Sequence, residues 1–310
     1  MKKKILIIGG SSLLSLNLVF FLRRKFSLHL ACNSRKPRIS SVESFFLNFN
    51  KISEIKKKIN TINPNIILLS GALTNIEYCE KYKKKAYKIN YLLNKKIVDI
   101  AKKYSIKIIF ISTDQVYNGK KSFSKETEAP HLLNYYSKTK LLSENYIKKK
   151  INKYLILRTN FFGYGPIHRL SFSDQIINNY KKKIKVFYFK DVYFNPIYMP
   201  IFAKILNTLL NINAKGIFNI CSPDKISKFY FAKKIFQKFK FNKKFLNSGY
   251  ISSKKNLTKR PSDMSMSCKK VANYTKLTLP KIDKQIMQFR KDYKSKYYYF
   301  IKKIRTTYMK

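Results

Sequence analysis

Residues 106–114 read Ile-Lys-Ile-Ile-Phe-Ile-Ser-Thr-Asp, an apolar run that ends in two hydroxyl side chains and a carboxyl group. A short continuous apolar run rich in branched side chains predicts a strand that is buried on both faces. Similar runs recur through the first half of the chain and alternate with stretches of helical character. They occupy residues 5–8, 28–32, 66–70 and 155–158. Buried strands separated by helices predict a parallel sheet of the doubly wound α/β class.

The segment after this strand places a phenol and an amine on one predicted helix, residues 135–150. Tyr136 and Lys140 are four residues apart, so their side chains would share a face. Spacing alone carries little weight, because eight tyrosines in this chain precede a lysine by four residues. Tyr136 differs from the other seven in context, since it opens a helix 23 residues after Thr113, at the carboxyl end of a strand. The seven others are interpreted as packing tyrosines beside solvated lysines.

These three side chains predict a proton-transfer site. A nearby ammonium favours phenolate, so we expect Lys140 to lower the pKa of Tyr136 toward neutrality. A phenol with such a pKa is a usable general acid or base. Thr113 would hydrogen-bond the substrate carbonyl oxygen on which Tyr136 acts. Parallel sheets bind ligands beyond the carboxyl ends of their strands, which is where Gly9, Gly71 and Thr113 would fall.

From about residue 161, glycines and prolines divide the chain into shorter elements. We therefore expect a larger domain over residues 1–165 and a smaller, mainly lid-forming domain over residues 166–310. Helices are expected near residues 172–182, 200–210 and 228–239, and strands near 186–189 and 217–220. The basic last stretch, residues 283–310, carries no motif and is predicted to form a surface helix.

The formal net charge of +51 comes from 66 basic and 15 acidic residues. Lysines recur in short runs at segment ends, which favours solvated faces over one clustered nucleic-acid or membrane surface. No zinc-finger spacing, RNA-binding aromatic motif or heptad zipper accompanies them. The sequence therefore predicts no nucleic-acid partner, although the positive field would help to gather anionic nucleotides.

Cysteine and histidine positions indicate neither disulfides nor a metal site. The four cysteines are isolated, which fits reduced thiols in a cytosol, and the three histidines are scattered. The amino-terminal lysines and the apolar stretch to Leu22 resemble a signal peptide, but Gly9-Gly10-Ser11-Ser12 and Asn17 interrupt that stretch. We expect a buried first strand and helix, no membrane segment and a cytoplasmic protein.

The turn after the first strand, Gly9-Gly10-Ser11-Ser12-Leu13-Leu14-Ser15, stands where dinucleotide-binding folds carry three glycines. Gly9 is kept, whereas Ser12 and Ser15 replace the other two, so an ordinary strand turn remains an alternative. After the second strand the chain has Asn33-Ser34-Arg35 instead of an acidic residue. A guanidinium suits a 2′-phosphate, so Arg35 favours NADP(H), with a solvated arginine as the alternative.

Taken in order, motifs along the chain resemble the extended short-chain dehydrogenase/reductases, in the dTDP-4-dehydrorhamnose reductase-like branch of sugar-nucleotide reductases. The motifs are Gly9, Gly71-Ala72-Leu73-Thr74-Asn75, Asn90, Ser112-Thr113-Asp114-Gln115-Val116-Tyr117, Tyr136 with Lys140, Leu157-Arg158-Thr159-Asn160-Phe161-Phe162-Gly163, Gly216-Ile217-Phe218-Asn219 and Arg260-Pro261-Ser262-Asp263. The resemblance implies an NAD(P)-binding Rossmann domain over residues 1–165 and a mainly substrate-binding lid over residues 166–310.

By this resemblance Tyr136 would be the acid/base, Lys140 would bind the nicotinamide ribose and tune Tyr136, and Thr113 would polarise the sugar carbonyl. The residues expected to bind NADP(H) or NAD(H) are Gly9, Ser12, Leu13, Arg35, Ala72, Thr74, Asn90, Tyr136 and Lys140. Those expected near a nucleotide-sugar substrate are Asp114, Tyr117, Asn160, Asn195 and Arg260. The chain departs from the pattern at Ser12, at Ser15 and at Asn48, where relatives often carry an aspartate.

The expected function is NAD(P)H-dependent reduction of a 4-keto sugar nucleotide for surface-polysaccharide sugars. One rival is an epimerase or dehydratase on the same scaffold, in which bound cofactor is recycled within each turnover. Another is a regulatory subunit that binds the nucleotide without catalysis. Sequence leaves the sugar, the nucleoside and the stereochemistry open, because these depend on pocket shape. Oligomeric state also stays open, with a homodimer among the alternatives.

Overall fold

The computed structural model describes residues 2–254 and 256–308, and a seven-stranded parallel sheet lies at its centre. In chain order the strands are β1 Lys4–Ile8, β2 Ser27–Cys32, β3 Glu43–Phe46, β4 Ile66–Leu69, β5 Lys107–Thr113, β6 Tyr154–Thr159 and β7 Gly216–Ile220. Across the sheet they run in the order β7-β6-β5-β4-β1-β2-β3. The strand order reverses between β1 and β4, as in doubly wound folds. The predicted fold class is confirmed.

Register brings the ends of neighbouring strands to one edge. Ile8 of β1 lies opposite Leu69 of β4, so the turns that follow both strands meet. Thr113 at the end of β5 lies opposite Thr159 at the end of β6. β5 is buried along its whole length, as its continuous apolar sequence predicts. The sheet therefore gathers the chain segments that carry the predicted site at its carboxyl edge.

Helices cover both faces of the sheet and continue into the carboxyl-terminal part. They are α1 Leu13–Leu22, α2 Ile52–Ile62, α3 Ile76–Lys81, α4 Lys83–Tyr87, α5 Leu93–Lys103, α6 Tyr135–Lys150, α7 Phe172–Lys181, α8 Met199–Asn211, α9 Lys228–Lys238, α10 Lys269–Thr275, α11 Ile282–Lys291 and α12 Lys296–Lys302. Short 3₁₀ turns lie at Asp114–Val116, Lys243–Phe245 and Ile251–Ser253. Within the described residues, no helix is both long enough and apolar enough to cross a membrane.

A π-helical turn, Lys88–Leu92, lies between helices α4 and α5. Asn90 lies in this turn and is fully buried. Its Oδ1 accepts from the Leu73 N–H at 2.8 Å, and its Nδ2 donates to the Leu73 carbonyl at 3.0 Å and to Thr139 Oγ1 at 3.1 Å. Asn90 therefore ties the segment after β4 to helix α6.

The carboxyl-terminal part has its own aromatic core, which includes Phe162, Tyr164, Phe231 and Phe289. Short strand pairs frame it. They are Arg35–Arg38 with Arg305–Tyr308, Phe161–Phe162 with Ile197–Tyr198, Val186–Phe189 with Leu246–Gly249, and Tyr193–Phe194 with Ile226–Ser227.

The last segment differs from the surface helix predicted for residues 283–310. α11 and α12 bury Phe289, Tyr297 and Ile301 in the aromatic core, because these apolar side chains share the inward faces of the two helices. Strand Arg305–Tyr308 then pairs with Arg35–Arg38, beside the end of β2. Residues 309 and 310 of the predicted segment lie outside the described residues.

The division at residues 165 and 166 stays a prediction. β7, which the sequence placed among the lid elements near residues 217–220, instead pairs with β6 in the central sheet, with Gly216 opposite Leu155. Helix α8 packs on α1 in the core of that sheet. The chain thus returns to the larger body after the predicted boundary, since β7 buries its apolar side chains only by extending the sheet.

A buried ion pair fastens helix α6 to the sheet. Glu144 of α6 and Arg158 of β6 have side chains that are 0% and 2% exposed. Arg158 Nη2 donates to Glu144 Oε2 at 2.7 Å, and Arg158 Nε lies 3.1 and 3.2 Å from the two carboxylate oxygens. Ser112 of β5 donates to Glu144 Oε1 at 2.5 Å, and Arg158 Nη1 donates to the Tyr117 hydroxyl at 2.8 Å. Because both charges are buried and paired, removal of either partner would leave an uncompensated charge inside the protein.

We expect Glu144→Gln to lower the free energy of unfolding by about 3–5 kcal/mol, because the Arg158 guanidinium would stay buried without a counter-charge. Urea denaturation measures this loss. Glu54→Gln is the matched control, since Glu54 pairs with Lys51 at the surface and its loss should cost less than about 1 kcal/mol. Equal losses in the two variants would contradict the assigned role of the buried pair.

Candidate active site

Two adjoining clefts open at the carboxyl edge of the sheet. The first, of about 360 Å³, lies beyond β5 and is called the β5 cleft. The second, of about 740 Å³, lies beyond β1 and β2 and is called the β1 cleft. Ser12, Ala72 and Arg169 line both, so these residues mark the place where the clefts meet. One elongated ligand can therefore extend from one cleft into the other.

Helix α6 carries Tyr136 and Lys140 into the β5 cleft. Asn134 caps the helix, with its side-chain oxygen accepting from the Ser137 N–H at 2.9 Å, so Tyr136 falls in the first helical turn. Lys140 Nζ donates to the Ile111 carbonyl at 2.7 Å and lies 4.0 Å from the ring centre of Phe110. The amine therefore lies against β5, next to the strand end that carries Thr113.

Burial sets the ionisation of this pair and reverses one expectation. Burial raises the pKa of the Tyr136 phenol, with the charge of Asp114 adding to the rise and the Thr113 side chain opposing it. Burial also lowers the pKa of Lys140 to about 7, against the charge of Glu144. The predicted lowering of the Tyr136 pKa by Lys140 is therefore wrong, because desolvation outweighs the attraction of a partly neutral amine.

Thr113 and Asp114 belong to one hydrogen-bonded group at the end of β5. Thr113 Oγ1 accepts from the Gln115 N–H at 3.2 Å and donates to Asp114 Oδ1 at 3.1 Å. Asn160, which follows β6, donates through Nδ2 to Asp114 Oδ2 at 2.7 Å. Burial raises the pKa of Asp114, while Asn160 and the charge of Lys228 favour its ionised form. The group fixes the Thr113 hydroxyl at the mouth of the cleft.

Lys228 lines neither cleft, but its charge acts on Asp114, and the sequence analysis did not predict it. It begins helix α9, and its Nζ lies 3.3 Å from the ring centre of Phe194 and 4.9 Å from that of Phe172. Burial lowers its pKa to about 8, and the charge of Asp114 opposes that change. In a chain with 66 basic residues, nothing in the local sequence distinguishes this lysine. Only the fold brings Lys228 within electrostatic range of Asp114, which follows β5 and is distant in the sequence.

The turn after β1 retains the geometry of a dinucleotide turn. Gly9 has a φ of +88°, and a Cβ at this position would lie 2.5 Å from the backbone of Gly71. Both facts require glycine here. The N–H of Gly9 and the N–H of Gly10 donate to the Ala31 carbonyl at 3.1 and 3.0 Å. The backbone is thus drawn close to β2, and the N-terminus of α1 opens toward the junction of the clefts.

The two serines that replace glycines are accommodated by hydrogen bonds. Ser12 caps α1, with its Oγ accepting from the Ser15 N–H at 3.1 Å. Ser15 is fully buried, with its Oγ 2.7 Å from the hydroxyl oxygens of Ser12 and Ser70 and 3.1 Å from the Gly9 carbonyl oxygen. The residues present therefore fit a dinucleotide, since the tight turn and the helix N-terminus are both preserved.

The structure brings most of the predicted site residues together. In the β5 cleft lie Ser12, Leu13, Ala72, Thr74, Thr113, Asp114, Tyr136, Lys140 and Asn160. Gly9, Ser12 and Ala72 line the β1 cleft. Their assignment to a cofactor or a substrate stays a prediction.

Five predicted residues do not line either cleft. Tyr117 and Asn195 are buried: Tyr117 contacts Arg158, and Asn195 donates to the carbonyls of Ser222 and Met266. Asn90 holds the Leu73 backbone, as described above. Arg35 lies over the ring of Tyr308, with 4.9 Å from its Cζ to the ring centre, and Arg260 forms an ion pair with Glu77. Intramolecular partners occupy polar groups of Tyr117, Asn195 and Asn90, and the ligand roles expected for these residues stay predictions.

Arg169 was also missed, although a signal for it exists. It follows Gly163-Tyr164-Gly165-Pro166, directly after the segment that continues from β6. Residues that follow a parallel strand lie at the ligand-binding edge of the sheet, so a charged residue in this turn is a candidate ligand-binding residue. Among the described residues, no cluster of His, Cys, Asp or Glu is placed to hold a metal ion.

Comparison with known proteins gives the same family as the sequence motifs. A dTDP-4-dehydrorhamnose reductase of Aggregatibacter actinomycetemcomitans is 27% identical over 230 residues, covering 69% of this chain and 76% of that protein. The Methionine adenosyltransferase 2 subunit beta of Xenopus laevis is 26% identical over 125 residues, covering 40% of this chain and 37% of that protein.

A solved structure shares the fold over nearly the whole chain. It is the dTDP-4-dehydrorhamnose reductase of Bacillus anthracis in complex with NADP, with a TM-score of 0.82 and 23% identity, covering 93% of this chain and 99% of that one. A family model described as the RmlD substrate binding domain matches residues 2–295. Since this match spans far more than half of the sequence, the chain belongs to the RmlD substrate binding domain family.

Proposed function

We propose that this chain reduces a 4-keto sugar nucleotide, with NADPH or NADH as the hydride donor. The observation that carries the proposal is the meeting of Thr113, Tyr136 and Lys140 in a cleft that continues to a dinucleotide turn. The similarity to dTDP-4-dehydrorhamnose reductases supports the substrate class, and the NADP complex of the Bacillus anthracis protein supports the cofactor class.

The cofactor, when bound across the two clefts, supplies a hydride to the carbonyl carbon. Tyr136 holds its proton at neutral pH because burial raises the pKa of its phenol. A carbonyl oxygen that gains negative charge is a far stronger base than the phenolate, so Tyr136 donates its proton to that oxygen as charge develops. The Thr113 hydroxyl, which donates to Asp114 Oδ1 in the free protein, would turn to donate to the same oxygen and stabilise it. Both groups act without large rearrangement, since α6 and β5 are fixed by the Glu144–Arg158 pair.

Lys140 has two functions in this scheme. In its charged form it favours the phenolate that Tyr136 becomes after proton donation. Its bond to the Ile111 carbonyl holds the amine on the inner side of the cleft, where a ribose hydroxyl of the cofactor could accept from it. Asp114, Asn160 and Lys228 lie farther toward the carboxyl-terminal part and are proposed to bind the sugar nucleotide.

A regulatory nucleotide-binding subunit is the second candidate function. The partial similarity to the Methionine adenosyltransferase 2 subunit beta favours it, although that match covers only 40% of this chain. A subunit of this kind would bind NADPH and would reduce no sugar nucleotide. An epimerase or dehydratase would instead convert its substrate without net loss of reduced cofactor.

We expect purified protein to oxidise NADPH or NADH in stoichiometric amounts with at least one 4-keto sugar nucleotide from a panel of nucleosides and deoxysugars. Absorbance of the reduced cofactor and chromatography of the sugar nucleotide measure the two sides of the reaction. Cofactor binding without turnover on any member would favour the regulatory subunit, and product formation without cofactor loss would favour an epimerase or dehydratase.

Tyr136→Phe should reduce kcat by about 10²- to 10⁴-fold, because it removes the proton donor. Its dissociation constant for NADPH should stay close to that of the wild type, since the aromatic ring remains. Tyr146→Phe is the matched control: Tyr146 lies on the same helix with Lys150 four residues beyond it, but its hydroxyl donates to Asp99 at an exposed position. Similar kcat values for wild type and Tyr136→Phe would refute the assignment.

The lowered pKa of Lys140 predicts a pH dependence. Its ammonium is present below about pH 7 and is lost as the pH rises through that value. The kcat/KM for the reduced cofactor reports ionisations of the free enzyme, so it should fall between about pH 6 and 8. Lys140→Arg keeps its charge, which should move the fall to higher pH. Lys138→Gln, an exposed change on the same helix, should leave the profile unaltered. A flat wild-type profile would contradict this account.

A further inference from the structure

Arg169 lies at the junction of the two clefts, since it lines both of them. Of the three residues that line both clefts, it is the one with a charged side chain. Ser12, another of the three, caps the N-terminus of α1, which carries positive potential from its free backbone N–H groups. In a ligand that extends through both clefts, the group that crosses this junction therefore lies near two sources of positive potential, Arg169 and the N-terminus of α1.

The loop that carries Arg169 is rigidly attached above the first turn of α1. Gly165 N–H donates to Asp174 Oδ2 at 2.5 Å, and Lys302 Nζ donates to the Gly165 carbonyl at 2.8 Å. A Cβ on Gly165 would lie 2.2 Å from the Arg169 carbonyl oxygen and 2.7 Å from Leu13 Cδ1. The loop is thus pressed against α1, and its position is set by the fold.

Arg169 lies within electrostatic range of two further basic residues, Arg35 and His168. Burial lowers the pKa of His168, and the charges of Arg35 and Arg169 lower it further. Burial also lowers the pKa of Arg169, and the charge of Arg35 adds to that effect. His168 Nε2 is buried and has no hydrogen-bond partner among the described residues. Within those residues Arg169 also forms no ion pair. Arg169 is therefore a cation without an acidic partner at the junction, which favours an anion there.

We propose that Arg169 binds the diphosphate of the dinucleotide cofactor, together with the N-terminus of α1. The inference rests on the proposed NAD(P)H dependence and adds a residue to its binding site. Ser12 has a Cβ where a glycine would allow the closest approach of backbone to a diphosphate. A guanidinium donates two parallel hydrogen bonds to phosphate oxygens, so Arg169 compensates for the glycine that the turn lacks.

The test measures equilibrium binding to the full-length protein without any sugar nucleotide. The probes are NADPH, NADH and ADP-ribose, which share the diphosphate but differ in the 2′-phosphate and the nicotinamide. Arg169→Gln should raise the dissociation constant for all three by a similar factor, about 10- to 100-fold, the usual effect of a hydrogen bond to a charged group. Arg169→Lys keeps the charge but not the paired geometry, and its losses should be intermediate.

Arg24→Gln is the matched control, because Arg24 is exposed, remote from both clefts and equal in charge. It should leave the three dissociation constants unchanged. Unaltered binding in Arg169→Gln, a loss confined to NADPH, or an equal loss in Arg24→Gln would each overturn the proposal. A wild-type protein that binds NADPH but reduces no sugar nucleotide would refute the proposed function and leave the role of Arg169 testable by the same measurements.

Discussion

The buried ion pair between Glu144 and Arg158 is the contact on which the site depends. Glu144 lies one helical turn beyond Lys140, so the pair fixes the rotation of α6 about its axis and with it the direction of Lys140 and Tyr136. The same carboxylate accepts from Ser112, the neighbour of Thr113. One carboxylate therefore positions the helix and the strand end that together form the proton-transfer group.

Burial of this arrangement also determines the protonation states of Tyr136 and Lys140. The phenol of Tyr136 keeps its proton, whereas the amine of Lys140 titrates near neutrality. A reductase needs a proton donor at the carbonyl oxygen, and a phenol that ionises only when a stronger base appears meets that need. Asp114 and Lys228 are a second set of titratable groups, and the charge of each favours the ionised form of the other.

Much of the fold could be predicted, because local sequence determines it. Continuous apolar runs indicated β1, β2, β4, β5 and β6, and the context of Tyr136 separated it from seven other tyrosines with the same spacing. Partners distant in the chain could not be predicted. The packing of Tyr117 on Arg158, the bonds of Asn195 to two carbonyls and the addition of β7 to the sheet depend on contacts over tens of residues. The π-helical turn at Asn90 has no recognised sequence signal.

The most direct test of the central claim follows the transferred hydrogen. Reduced cofactor that carries deuterium at the nicotinamide C4 position is incubated with the protein and a 4-keto sugar nucleotide, and mass spectrometry with NMR locates the label. The account predicts one deuterium on sugar C4 for each cofactor oxidised. Product without deuterium at that carbon, or label that remains on the cofactor while the sugar changes, would contradict it.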